Sequence, residues 1–297
     1  MHKRRWAIVG LLATIALGIV GFTVAKDDAR SDMEERVFEF QLGKTLEETA
    51  KKTTLPLSGQ NNWGMVNAGV IGLADGVYGR YVEPGYELKL GPLAGIEFYA
   101  DTNRYPSKKV ETVQVTLRLD HITTLQQAYD YAYGLISQFQ NSKWKRYIPE
   151  VCPRLQGKSS ILDQAQIEAL SQPDLRNFIG LGCPIDPTYK PNFEDWKKFA
   201  GSDQGASYLW HDGAGKVAKL DLTLSETDPA KFKSRNFRID LEFELQEVML
   251  DNEKGRLEAD LKQPWGERIA KVEIEKRRIR DLLEAMALKR EEQLAER

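Results

Sequence analysis

Apolar and polar residues alternate strictly from Phe237 to Leu245, with Phe237, Ile239, Leu241, Phe243 and Leu245 on one parity and Arg238, Asp240, Glu242 and Glu244 on the other. A period of two sends successive side chains to opposite faces, so this segment reads as a strand with one buried and one wetted face. Residues 110–119 carry the same signature, Val113, Val115, Leu117 and Leu119 alternating with Gln114, Thr116 and Arg118. Shorter apolar-rich runs at 37–42, 86–90, 95–100 and 144–148 read as further strands. Residues 206–210 and 216–224 flank His211-Asp212-Gly213-Ala214-Gly215, whose glycines suit a hairpin turn. One-sided strands of this kind form antiparallel sheets, and their apolar face needs a cover.

Helical spacing supplies that cover. Leu125, Ala128, Ala132, Ile136 and Phe139 fall on one face of a helix capped by Thr123 or Thr124 and running to about Asn141. The tyrosines at 129, 131 and 133 cannot all share that face. Shorter helices are predicted behind Thr45, where Glu48 completes a capping box and Pro56 sets the limit, and at 162–170 and 193–199. From Trp265 to Arg297 no proline interrupts; Trp265, Ile269, Val272, Ile279, Leu283 and Met286 follow a 4-3 spacing broken by Lys276. Glu267 with Lys271 and Glu273 with Arg277 sit one turn apart. This tail predicts a long charged helix, docked along its own domain or paired with another chain through a seam of only about three heptads. The fold class expected is α+β, a mainly antiparallel sheet with helices packed on one face.

Nothing else in the chain matches residues 6–25, WAIVGLLATIALGIVGFTVA, an unbroken apolar run behind the basic start MHKRR. At about 1.5 Å per residue it reaches across the ~30 Å hydrocarbon core of a bilayer. Lys3, Arg4 and Arg5 hold the start in the cytoplasm and direct residues 26–297 outside. A secretory signal cut after Ala25 is the competing reading, although the apolar part of such signals usually spans only about 7–15 residues. Both readings export the rest. Gly10, Ala13, Ala16, Gly18 and Gly21 are small enough for two such helices to pack, which keeps a homo-oligomer open. The layout is a basic start at 1–5, a transmembrane signal-anchor at 6–25 and a charged linker at 26–36. A periplasmic domain at 37–262 and an amphipathic helix at 263–297 complete it.

The whole chain carries a net charge of −2, and its first 25 residues hold three basic groups and no acidic one, so the exported part is more acidic. That balance argues against nucleic acid as a partner. Cys152 and Cys183, each followed by proline, predict a disulfide in an oxidising compartment. Closing a loop of about 30 residues stabilises a fold by roughly 3–4 kcal/mol in the chain-entropy model. The exported part has no Asn-x-Ser/Thr sequon, which together with the short basic start points to a bacterial inner membrane protein facing the periplasm.

Residues 59–85 interleave seven glycines with Trp63, Met65, Tyr78 and Tyr81. Backbone of this composition must turn or be approached closely, so it reads as a partner-binding loop or as irregular structure covering the core. Trp63, Met65, Tyr78 and Tyr81, with Tyr208 and Trp210 of the hairpin, are the candidate partner contacts, because Trp and Tyr dominate interface energetics.

Recognisable catalytic patterns are missing. There is no phosphate-binding glycine loop, no HExxH and no GxSxG; Ser142 and Lys145 match Ser-x-x-Lys without its Lys-Thr-Gly companion. His121 and His211 are the only histidines after residue 2; His211, beside Asp212, reads as a solvated turn residue or as a pH-responsive or catalytic imidazole, the solvated turn residue being the commoner case. A dispersed carboxylate pair for glycoside hydrolysis leaves no fixed spacing to find. No catalytic residue, metal or cofactor is therefore predicted. The expectation is a membrane-anchored, non-enzymatic interaction protein with a protein partner, most concretely an immunity-type inhibitor of an antibacterial effector. A scaffolding subunit of an envelope complex and an envelope hydrolase are the alternatives.

Overall fold

A computed structural model describes residues 36–53, 55, 64–150, 152–161, 183–202, 205–250, 265–290, 292, 294 and 295. The apolar run with its basic start and the linker up to residue 35, Trp63, and the helix predicted at 162–170 lie outside the described residues. The chain divides into two units, Met1–Met33 and Glu34–Arg297, and everything below belongs to the second. Among the described residues, no helix is long and apolar enough to cross a membrane.

The strands are β1 (Arg36–Phe40), β2 (Met65–Ile71), β3 (Val77–Tyr81), β4 (Leu88–Leu90), β5 (Leu93–Asp101), β6 (Thr112–Leu117), β7 (Lys145–Arg146), β8 (Ala206–His211), β9 (Lys216–Leu224) and β10 (Phe237–Leu245). The principal helices are α1 (Leu46–Thr53), α2 (Leu125–Gln140), α3 (Phe193–Ala200) and α4 (Trp265–Lys289). The fold is α+β and mostly antiparallel. Seven strands pair in the order β2-β5-β6-β10-β9-β8-β7, and β1, β3 and β4 form a small second sheet in which β1 runs parallel to β3.

The alternation of β10 becomes burial, since all five apolar positions are buried while Arg238 and Asp240 stay exposed. Phe98 of β5, Phe243 of β10 and Trp210 of β8 belong to this buried face. The small sheet covers it: Phe40 meets Phe98 and Phe243 edge-on at centroid distances of 6.0 and 5.4 Å, and Tyr81 stacks on Phe243 at 5.0 Å. Helix α2 covers the neighbouring part, with Phe139 stacked on Trp210 at 4.0 Å and the hydroxyls of Tyr133 and Tyr208 hydrogen-bonded at 3.0 Å. Trp196 of α3, fully buried, packs against Tyr129 and Phe237.

Local sequence sets the ends of α2. The Thr124 hydroxyl accepts from the Gln127 N–H at 3.2 Å, the Gln127 side chain accepts from the Thr124 N–H at 3.1 Å, and Asn141 is the C-cap. Tyr129 and Tyr133 turn into the core, whereas Tyr131 reaches the Gly91 carbonyl at 3.1 Å.

Two expectations need correction. The glycine-rich stretch, expected as a partner-binding loop or irregular structure, is from residue 64 on largely strand, namely β2 and β3. Gly69 shows why glycine suits it: β2 lies so close on β5 that a Cβ there would stand 2.8 Å from Glu97 Cγ and 3.0 Å from the Ile96 carbonyl oxygen. The tail helix ends at Lys289, and Leu294 instead forms a β-bridge with Leu155.

The last turns of α4 are tied to the 152–155 segment, because Glu284 accepts from the Arg154 guanidinium at 2.9 and 2.8 Å. Cys152, Leu155, Leu209, Val217, Leu283 and Ala287 are buried yet stand apart from the main core. Ile274, Leu282 and Leu288 of α4 are exposed. Cys152 and Cys183 are joined, with Cα atoms 5.4 Å apart.

Candidate functional site

Opposite the core, the seven-stranded sheet presents its polar parity. Register aligns Glu97, Gln114, Glu242 and Lys219 as successive neighbours across β5, β6, β10 and β9. The adjacent row runs Thr116, Asp240, Asp221 and Ser207 from β6 to β8. With strands about 4.8 Å apart, each row crosses roughly 15 Å. Gln114 donates from Nε2 to Glu242 at 3.4 Å, Lys219 pairs with Asp221 at 2.5 Å, and Arg238 pairs with Asp240 at 2.7 Å. Gln114, Thr116 and Asp240 are exposed, so this part of the face meets solvent. It is acidic: Glu97, Glu242, Asp240 and Asp221 stand against Lys219 and Arg238.

Toward the N-terminal end of β6 the face becomes drier. Glu244 lies opposite Thr112 and is buried, and Glu111, also buried, pairs with Arg104 at 3.1 Å. Burial pushes the Glu244 carboxyl up to about 7, with the charges of Glu242 and Glu111 adding to it. Burial also raises Glu111 despite Arg104, and Glu242 despite Lys219. Glu247 accepts from the Tyr105 hydroxyl and faces Lys109 at 4.0 Å.

A pH dependence follows. The folded chain keeps a proton on Glu244 up to about pH 7, whereas an ordinary Glu releases it near 4.5. Between these values the folded state binds more protons than the unfolded one, so stability falls as pH rises. Glu244→Gln removes that loss, and the variant gains up to about 3 kcal/mol over wild type at pH 8 and little at pH 4.5. Urea unfolding at the two pH values checks this; an equal gap between the proteins at both would exclude it.

The sequence-predicted contacts are dispersed. Tyr81, Tyr208 and Trp210 are 0, 0 and 1 % exposed, which removes them from any open surface. Their strand positions face the apolar interior, where size and aromaticity serve packing rather than recognition. Met65 lies half-buried on the edge strand β2, Tyr78 lies half-buried on β3, and Trp63 is outside the described residues. His211 sits at the end of β8 rather than in the turn, its ring 5.9 Å from that of Tyr147, and burial pulls its pKa down. Asp212 organises the turn instead, its Oδ1 accepting from the N–H groups of Ala214 at 2.7 Å and Lys216 at 2.9 Å. Among the described residues, no group of three His, Cys, Asp or Glu is placed to hold a metal ion.

Sequence reasoning missed the polar face as a site although it read the charged parity of β10. The residues that share its rows are up to 145 positions apart, Glu97 and Glu242, and only strand register joins them. No known protein family, curated protein or solved structure matches the chain.

Proposed function

We propose that this chain is a membrane-anchored interaction protein of the bacterial periplasm that binds a cationic protein partner on the open face of its seven-stranded sheet. Its most concrete form is an immunity-type inhibitor that captures an antibacterial effector at the membrane surface, with residues 6–25 as the anchor. The observation that carries this reading is the registered set Glu97, Glu242, Asp240 and Asp221 on that face, Asp240 exposed and the other three half-buried. Side chains on a hydrogen-bonded sheet are held in place before a partner arrives, and a face of one predominant sign steers an oppositely charged protein toward it. The raised carboxyls of Glu242 and Glu244 add support, because approaching cations stabilise their charged forms.

Hydrolysis by dispersed carboxylates is less well supported, since these raised carboxyls lie on a sheet face and none lines the described clefts. A scaffolding role in an envelope complex draws on one specific observation, the exposed Ile274, Leu282 and Leu288 of α4. A photo-crosslinker at Thr116 separates the two: it captures a protein under the first reading, whereas under the second capture comes from α4.

A further inference from the structure

A cleft of about 650 Å³ opens where β3 and the end of β6 meet the β2–β3 and β4–β5 connections, lined by Asp75, Tyr78, Pro92, Arg118, Asp120 and His121. Arg118 builds its base. The Arg118 N–H donates to the Pro92 carbonyl at 2.8 Å and its Nη2 to the Leu73 carbonyl, so one residue ties both connections together. Nη1 faces Asp75 at 3.3 Å and Asp120 at 3.5 Å. Those two side chains remain 80 % and 67 % exposed, which leaves acceptor positions open to the cleft. The Arg118 Nε is buried with no hydrogen-bond partner among the described residues.

Tyr78 forms a fixed wall. Gly91, at a φ of +125°, lies so near that a Cβ would stand 3.2 Å from Tyr78 Cδ1, a closeness and a conformation that favour glycine. Tyr131 holds the Gly91 carbonyl from behind, and its ring supports His121 edge-on at 5.6 Å. His121 itself is exposed.

We propose that this cleft binds an uncharged, hydroxyl-rich ligand, a short oligosaccharide. An anion finds the guanidinium already countered by two carboxylates. A cation meets Arg118, and the Lys89 ammonium, outside the lining, stands 4.7 Å from the centre of the Tyr78 ring. What remains is a set of planar hydrogen-bonding edges, Asp75, Asp120 and His121, beside the apolar surface of Tyr78 and Pro92. Sugars present the complement, with hydroxyls around the rim and C–H groups on the ring face. The volume falls in the range of about 300–1,000 Å³ typical of small-molecule sites. This inference does not depend on the partner-binding reading, because the cleft and the acidic sheet face share no residue named for either.

Saturation-transfer difference NMR tests it on the full-length chain in a sugar-free detergent, with maltotriose, cellotriose and chitotriose as probes. The expected result is transfer to the ring protons of at least one trisaccharide. Combining Asp75→Ala with Asp120→Ala weakens that binding about tenfold or more, because each lost charged acceptor removes a strong hydrogen bond. Both carboxylates are largely exposed, so the fold tolerates the change; should the double variant fail to fold, His121→Ala supplies the same comparison. Absence of transfer from all three probes, or wild-type affinity in the folded variant, overturns the proposal.

Discussion

Replacing Asp186 by alanine lowers the unfolding free energy by about 3–5 kcal/mol, the range for removing one partner of a buried ion pair. Asp186 is buried and its carboxylate serves several donors. Oδ2 accepts from the Gly157 N–H at 2.8 Å, and Oδ1 accepts from the Thr188 N–H at 2.9 Å and hydroxyl at 2.8 Å. Arg146 Nη1 stands 3.6 Å from Oδ2 and also donates to the Leu155 carbonyl at 2.7 Å, while Nη2 donates to Pro184 at 3.3 Å. Burial already pulls the Arg146 pKa down, so loss of the carboxylate strands a desolvated cation. The cluster binds β7 to both ends of the segment closed by the Cys152–Cys183 bond, and that segment carries Arg154, the ligand of Glu284 on α4. Urea denaturation measures the loss; a change below about 1 kcal/mol would mean that water replaces the carboxylate and the pair is not structural. Asp186→Asn, which keeps acceptor capacity, loses less.

Phe139→Ala has an effect of similar size, about 3–5 kcal/mol. Phe139 is fully buried, stacks on Trp210 at 4.0 Å with an interplanar angle of 9°, and meets Trp144 and Phe243 at 5.9 and 6.4 Å. One ring therefore joins α2 to β8, to β10 and to the residue that precedes β7. Its removal forfeits both the transfer energy and the contacts around the cavity left behind. Phe139→Leu, which refills much of the volume, costs clearly less. Equal losses for the two variants in chemical denaturation would contradict the assignment of the ring stack as the main contribution.

Local chemistry in the sequence specified the elements it governs alone. The alternation of β10 and β6, the β8–β9 hairpin, the Thr45–Glu48 capping box and a threonine cap on α2, at Thr124 of the two candidates, correspond closely to what forms. Position within the layers was less legible. Tyr208, Leu209 and Trp210 are all buried, so β8 has apolar cover on both faces and its parity says nothing about which aromatic meets solvent. In β2 Gly69 marks close approach to β5, which from composition alone is indistinguishable from a loop. Arg146 and Asp186 lie 40 positions apart, and Arg118 meets Asp75 across 43; such pairs exist only once topology is fixed. The acidic face is the same case, because the charges of β10 become a surface through the register of β5, β6 and β9 beside it.

The partner-binding reading stands or falls on that face. The most direct measurement places a photo-crosslinker at Thr116 in the full-length chain, expressed in its own host, and a second at Lys231, whose side chain is 70 % exposed. The expected result is one protein captured in near one-to-one amount from Thr116 and not from Lys231, with the adduct lost when Asp240→Lys and Glu242→Lys are combined. Capture from Lys231 alone, no protein captured from Thr116, or an adduct indifferent to the charge reversal would contradict it.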